Sequence, residues 1–402
     1  MAKLEFEDLS FEEDKDSVRV NLLKIFCFYI PKAELEKIAD FRLSHNSIDF
    51  KDVSTKKAGN KFNMLIQKHI HSLNNSITGR KAVYIHQNSG IPLIGTNYFG
   101  IVDRGTSLIE LKPLNGCNLN CIYCSVDEGK NSRTRLVDFV VEKDYLVSEL
   151  RKVADFKAVD GLEIHIAGQS EPLLYADAKP LIKEISQIKG VKTVSMDTNG
   201  TLLTKKITDE LIKAGLTRFH MSINSLDPEL AIKIAGAHYN ISHVKKMAEY
   251  ISGKAEVIIT PIWLEGVNDK EIPKLVEFAA KIKADIGIQN FLRYKHGRNP
   301  AKQLEWPEFY EKLKDLEKRF GIKLIKGEED FKIIKTKELP KPLKKDNIVK
   351  AKIIAEGRLR NERLAIYKDR VISILNCSES VNSIVRIKIL RTKHNIFVGK
   401  KI

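Results

Sequence analysis

The sequence predicts an α/β fold: a partial (β/α)6 barrel of the TIM type, preceded by an N-terminal α+β extension and followed by a small antiparallel β-barrel. Three observations lead there. From about residue 106 to 320, short β-branched runs alternate with amphipathic stretches of helical period, the pattern of successive strand–helix units around a parallel sheet. After residue 341 the pattern changes to short alternating strands without a helical stretch. The chain has 402 residues, which at about 100 to 200 per domain leaves room for two or three units, one of enzyme size.

Taken in order, residues 1 to about 16 (MAKLEFEDLSFEEDKD) are acidic and read as a mobile tail. VRVNLLKIFCFYI reads as a strand or short buried segment and PKAELEKIADFRL as the start of a helix, both within an extension that spans residues 1–100. The barrel spans 101–325. Its expected strands are SLIELKPL, GLEIHIAG, KTVSMDTN, RFHMSINS, EVIITPIWL and DIGIQNFLRY. Between and after them come the helical stretches EKDYLVSELRKVADF, AKPLIKEISQI, KKITDELIKAG, SHVKKMAEYIS, KEIPKLVEFAAKI and WPEFYEKLKDLEKRF, several ending at Gly as helix C-caps do. Parallel barrels gather their chemistry at the C-terminal ends of the strands. A basic linker over 326–345, containing KTKELPKPLKKDN, leads into the terminal barrel over 346–402.

Composition narrows the class. Hydrophobic residues make up 43% and charged residues 30%, as in a globular chain with an excess of Lys. No stretch reaches the roughly 18 apolar residues of a membrane span, and the N-terminus is acidic where a signal peptide is basic and then apolar. A cytoplasmic protein without membrane association is expected. Five cysteines stand at 27, 117, 121, 124 and 377, three of them within eight residues, a metal-site pattern rather than a disulfide framework. Cys27 and Cys377 fall in apolar runs and read as buried residues. Residues 341–402 hold ten Lys and six Arg against five Asp and Glu, so a net +11 of the chain's +16 sits in the last segment.

CNLNCIYC (117–124) directly follows the first barrel strand, so Cys117, Cys121 and Cys124 converge from one loop on a single centre. Four-iron clusters are normally held by four thiolates; three leave one iron open to a cosubstrate. Zinc sites close with a fourth ligand, and no Cys or His stands at a usual spacing to supply it.

The loop C-x-x-x-C-x-aromatic-C, with Tyr123 as the aromatic, resembles the signature of the radical S-adenosylmethionine (radical SAM) superfamily. The resemblance implies a [4Fe–4S] cluster on the three cysteines and S-adenosylmethionine as cosubstrate. It implies cleavage of that cosubstrate by one electron to a 5′-deoxyadenosyl radical, which abstracts hydrogen from substrate. Four further segments resemble the family in order. HIAGQSEPLL is similar to its Gly-Gly-Glu-Pro type motif, with Gly168 for close backbone approach and Glu171 for the cosubstrate amino group; here Gln169 and Ser170 stand in place of a Gly. MDTNGTLL is similar to a Thr-Asn-Gly segment, in which Asn199 contacts the cosubstrate or only forms a turn with Gly200. HMSINSLDPE resembles the ribose-contacting segment, with Ser222 and Asn224 two apart and so on one strand face. VIITPIWLEG is apolar enough to pack on adenine or to fill core. Tyr123 implies a neighbour of the adenine or of the cluster.

Beyond the cofactors, FLRYKHGRNP crowds Arg293, Lys295, His296 and Arg298 at one strand end, a clamp for a phosphate or carboxylate of substrate, or a solvated basic loop. The terminal segment looks like a TRAM-type or related oligonucleotide-binding barrel, a module appended to RNA-modifying enzymes. Arg360, Arg363, Arg370, Arg386, Arg391, Lys393 and His394 are its expected RNA contacts. The combined expectation is a radical SAM enzyme that modifies tRNA or rRNA, reduced by a ferredoxin or flavodoxin. A peptide, protein or small cofactor precursor is the alternative substrate. Sulfur insertion of the methylthiotransferase kind is disfavoured, because that layout carries a second three-cysteine cluster and Cys27 alone lies N-terminal to the loop.

Overall fold

The computed structural model describes residues 2–402. At its centre is an open seven-stranded sheet. Six strands run parallel in the order Asp285–Ile286, Glu256–Ile259, Arg218–Met221, Val191–Thr198, Leu162–Ile166 and Leu108–Lys112, and Gly100–Asp103 pairs antiparallel at the edge. This is the expected partial (β/α)6 barrel. Along each strand the apolar residues alternate: Ile164 and Ile166, Val194 and Met196, and Phe219 and Met221 are buried on the face toward the helices. The opposite faces carry Glu163 and His165, Ser195 and Asp197, and Arg218 and His220, leaving a polar lumen. Helices start where side chains can cap them: Thr204, Asp227 and Asn240 accept from Ile207, Leu230 and His243 N–H groups at 2.8 to 3.1 Å.

The N-terminal region is more ordered than its composition implies. The acidic stretch expected to be mobile forms two strands, Ala2–Glu5 and Leu9–Asp14. The charged side chains are exposed, while Phe6 and Phe11 turn inward and meet Phe62 at ring distances of 5.5 and 6.0 Å. VRVNLLKIFCFYI is a hairpin of Ser17–Leu22 and Phe26–Pro31, and the expected helix after it is one short segment, Lys32–Glu36, before strand Phe41–Leu43. Helices Thr55–His69 and Pro228–Ala235 were not legible as separate stretches. Strand Val137–Val141, inside the barrel's sequence range, leaves the barrel sheet and pairs parallel with Lys81–Ile85 in the N-terminal six-stranded sheet. It welds the two regions together.

Residues 348–401 form a closed five-stranded barrel in the order Ile348–Glu356, Arg363–Tyr367, Arg370–Leu375, Val398–Lys401 and Ile384–Arg391. Four of its pairings are antiparallel; Arg370–Leu375 and Val398–Lys401 run parallel. The basic linker is not a free tether. Leu339 N–H donates to Asp103 at 3.3 Å, and Lys157, wholly buried, bridges Asp103 at 2.8 Å and Thr336 at 2.6 Å. The barrel is seated on the edge of the core, where Val371 N–H donates to Ile94 O and Phe397 N–H to Gly95 O. No helix among the described residues is long and apolar enough to cross a membrane.

Candidate active site

The cysteine loop is held from three directions. Gly116 N–H donates to Gln169 O (3.1 Å) and Glu171 N–H to Gly116 O (3.0 Å), which stitches the residue before Cys117 to the turn 168–171. Asn120 N–H donates to Ala235 O (3.0 Å) and Ile122 N–H to Ile234 O (2.9 Å), seating the loop on helix Pro228–Ala235. This approach requires Gly236, whose φ is +61° and whose Cβ, if present, would lie 2.2 Å from Asn120 O. Arg298 closes the far end, donating to Asp127 Oδ1 (2.7 Å), Cys121 O (3.0 Å) and Glu128 O (2.7 Å).

Cys117, Cys121 and Cys124 consequently line one cavity of about 250 Å³, shared with Tyr123, Gly168, Ser170, Glu171, Asn199, Ser222 and Asn224. Burial pushes all three thiols up, Cys121 to about 12, and their mutual repulsion as thiolates adds to this for Cys117 and Cys121. Without a cation the thiols stay protonated; a metal centre reverses that preference, since coordinating thiols are deprotonated outright. The donor set therefore fits an iron–sulfur cluster. The pocket also fits a polar cosubstrate. Ser170 Oγ is buried without a partner at its wall. Burial pushes Glu171 up to about 7, although Asn199 N–H (2.7 Å), Thr198 Oγ1 (2.8 Å) and Leu173 N–H (3.2 Å) all donate to it. A carboxyl so placed gains from a cationic amino group.

Asn199 does more than form a turn. Its Nδ2 donates to Asn118 Oδ1 at 2.9 Å and its backbone oxygen accepts from Tyr239, a residue the sequence reading missed, at 3.2 Å. Asn224 donates to the Tyr123 hydroxyl at 2.7 Å and accepts from Ile262 N–H at 2.8 Å, fixing the aromatic against the loop. Behind it, Glu271 accepts from Ser225 and the Leu226 and Asp227 N–H groups. Burial opposes its charge, but these bonds and Lys274 hold it at about 2. Gln169 differs from the other expected cofactor contacts. Its side chain turns away from the cavity to accept from Arg358 Nη1 at 2.8 Å.

Below the cavity, the lumen carries a cluster not singled out in the sequence. Asp197, which also lines the cavity, receives His165 Nε2 and His220 Nδ1, each at 3.3 Å. Burial opposes its charge, yet the two imidazoles hold Asp197 well below the carboxylate range, and His165 is pushed up in return. His165 also meets Ser195 Oγ (2.8 Å), which donates to Glu163 (2.6 Å), itself paired with Arg218 (2.7 Å). Glu163, His165 and His220 present atoms within 4.8 Å of one another. Arg218 already occupies Glu163, which argues against a cation there. Strand parity was the available signal, because each of these residues is two apart from its neighbour on the strand.

Among the described residues, none of Arg293, Lys295, His296 and Arg298 lines the cavity. Arg298 is spent on the loop as a structural tie instead of standing ready as a substrate clamp, because Asp127 and two carbonyls meet its donors. Arg293 and Lys295 are exposed. The seven terminal-barrel residues divide. Arg363 and Arg370 donate to barrel and linker carbonyls, those of Glu379 and Pro340 among them. Arg360, Arg386, Arg391 and Lys393 are exposed. His394 is half-buried, and its pKa is lowered by burial and by Arg104, Lys393 and Arg391 around it. Cys27 and Cys377 are buried free thiols away from the cavity.

Comparison with known proteins agrees with this geometry. Residues 111–279 match the family described as Radical SAM superfamily. An uncharacterized protein of Methanocaldococcus jannaschii is 39% identical over 368 residues, 84% of each chain. A GTP 3′,8-cyclase of Campylobacter jejuni is 29% identical over 230 residues, 56% of this chain and 68% of that one. The solved structure of Streptococcus suis SuiB bound to S-adenosylmethionine aligns over 78% of this chain and 70% of that one, at 16% identity and a TM-score of 0.41. The cofactors are those of the family, a [4Fe–4S] cluster that Cys117, Cys121 and Cys124 would hold and S-adenosylmethionine, and together they supply one-electron cleavage of the cosubstrate. With three half-buried cysteines on one loop, a polar pocket beside them and the family match over residues 111–279, the chain belongs to the radical SAM superfamily.

Proposed function

We propose that this enzyme modifies RNA, tRNA or rRNA, with the terminal barrel docking the polyanion in the manner of a TRAM-type module and a ferredoxin or flavodoxin supplying the electron. The observation that carries the reading is the outer face of the barrel. Lys350 stands directly opposite Arg386 across one strand pair; Lys388, opposite Lys400 across the next, also pairs with Asp346 at 3.0 Å. Like charges facing each other across strands destabilise a sheet. A polyanion relieves that repulsion and gains from counterion release. Beside these cations, Ile348 and Ile384 are exposed, Ile384 by 72%, apolar surface suited to sugar or base contact. The polar lumen supports a substrate group that hydrogen-bonds to Asp197.

A second reading, a small nucleotide precursor, is favoured by the relative named GTP 3′,8-cyclase. Mass spectrometry of nucleosides in total RNA from cells lacking the gene separates the two. Loss of one modified nucleoside, restored by the wild-type gene and not by Cys121→Ala, supports RNA; an unchanged nucleoside profile overturns it.

A further inference from the structure

The terminal barrel contributes one residue to the cofactor region itself. Arg358 lies between strands Ile348–Glu356 and Arg363–Tyr367, and its side chain points out of the barrel into the core, where it is 0% exposed. Nε donates to Val137 O (3.1 Å), Nη1 to Gln169 Oε1 (2.8 Å) and Nη2 to Asp138 Oδ1 (2.8 Å), and the group also pairs with Glu128. We propose that Arg358 is a positioning residue for the cofactor pocket: it fixes the turn 168–171 and the Cys124 end of the cysteine loop relative to each other.

Two paths lead from this guanidinium to the cysteines. Through Gln169 it reaches the turn whose backbone oxygen takes the Gly116 N–H, next to Cys117, and which presents Ser170 and Glu171 to the cavity. Through Glu128 it reaches the residue whose N–H donates to Cys124 Sγ at 3.1 Å. Arg80, from the N-terminal extension, also grips this network, bonding Glu128 Oε2 (2.9 Å) and Asp138 Oδ1 (3.0 Å). Two cations thus face two carboxylates, and the buried cluster is neutral.

The division of labour between the two arginines separates positioning from simple docking. Arg80 serves Glu128 and Asp138, whereas among the described residues Arg358 is the one hydrogen-bond partner of the Gln169 side chain. Gln169 and Ser170 stand in place of the glycine that the family resemblance expects. A glycine has no side chain to be held, so the substitution and the arginine make sense as a pair. Groups that hold ligating or ligand-contacting residues from behind commonly set affinity and geometry at the site in front.

The test uses the full chain, purified without oxygen and reconstituted with iron and sulfide. Arg358→Lys, Arg358→Met and Gln169→Leu are compared with wild type for S-adenosylmethionine affinity, for the change in the cluster's EPR spectrum on adding S-adenosylmethionine, and for melting temperature. Positioning predicts that Gln169→Leu weakens affinity by about tenfold and alters the S-adenosylmethionine-bound spectrum, with little change in melting. It also predicts that the double variant Arg358→Met/Gln169→Leu is no worse than Arg358→Met, because Arg358→Met already removes the Gln169 contact, and that Arg358→Lys does not restore the wild-type spectrum. Wild-type affinity and spectrum in Gln169→Leu and Arg358→Lys would reduce Arg358 to a docking contact and overturn the proposal. If Arg358→Met does not fold, Gln169→Leu decides alone.

Discussion

The terminal barrel carries arginines in two opposite settings. Arg358 is enclosed in the core and meets oxygens of Gln169, Asp138, Glu128 and Val137, whereas Arg386 stands in solvent across from Lys350. Surroundings, not residue type, decide what each charge does. In a dry interior with carboxylates and carbonyls in place, a guanidinium becomes fixed geometry. On a wet surface among like charges it stays available to a polyanion. The barrel is therefore both a structural part of the catalytic core and, in our reading, its RNA-facing surface.

This contrast is sharpest in stability. Arg358→Met leaves Glu128 and Asp138 with one cation between them, and denaturant unfolding is expected to show a loss of about 3–5 kcal/mol. Arg386→Met should stay within about 0.5 kcal/mol of wild type. Equal losses in the two would erase the distinction. Deleting residues 341–402 removes Arg358 as well as the outer face, so a truncation is expected to impair the core and RNA binding together.

The docked side also carries a pH signature that the outer face lacks. Glu171 is raised to about 7, above its ordinary 4.5, so the folded chain binds its proton more tightly than the unfolded chain does. Its contribution to stability is greatest below about pH 4.5 and is lost as pH rises through about 7. In cluster-free protein, melts between pH 5 and 8 should show stability falling with pH by up to about 3 kcal/mol from this group, and Glu171→Gln should flatten that part of the curve. A profile identical in the variant would show that the carboxyl is not desolvated.

These two sides were unequally legible in the sequence. The cysteine loop, the turn after the second parallel strand and the six parallel strands are local patterns of spacing and periodicity, and local patterns survive in a linear string. The polar lumen was readable in principle, because Glu163 and His165, Ser195 and Asp197, and Arg218 and His220 follow strand alternation. Arg358 was not readable. It lies 189 residues from Gln169 and 220 from Asp138, and nothing in GRLRNE marks which arginine turns inward. Arg298 misled for the same reason: a basic run looks alike whether its charges meet solvent or Asp127. The acidic N-terminus misled because its exposed charges outnumber the two aromatic residues, Phe6 and Phe11, that pack it.

Smaller effects sharpen the outer face. Lys350→Glu with Arg386→Glu is expected to weaken tRNA binding and to lower the salt slope of log affinity by about 0.7 to 0.9 per lost phosphate contact. An unchanged slope would place the contacts elsewhere. Without RNA, Lys350→Thr removes a cross-strand repulsion and should raise stability by about 0.2 to 1 kcal/mol, measured by urea unfolding.

Substrate-dependent turnover of the reconstituted holoenzyme decides the matter most directly. Reduced enzyme with S-adenosylmethionine is given total tRNA, GTP or buffer, and 5′-deoxyadenosine is quantified together with any new modified nucleoside. An RNA-modifying enzyme forms 5′-deoxyadenosine faster with tRNA than with buffer, in step with a new nucleoside, and does not respond to GTP. Stimulation by GTP with none by tRNA would contradict it.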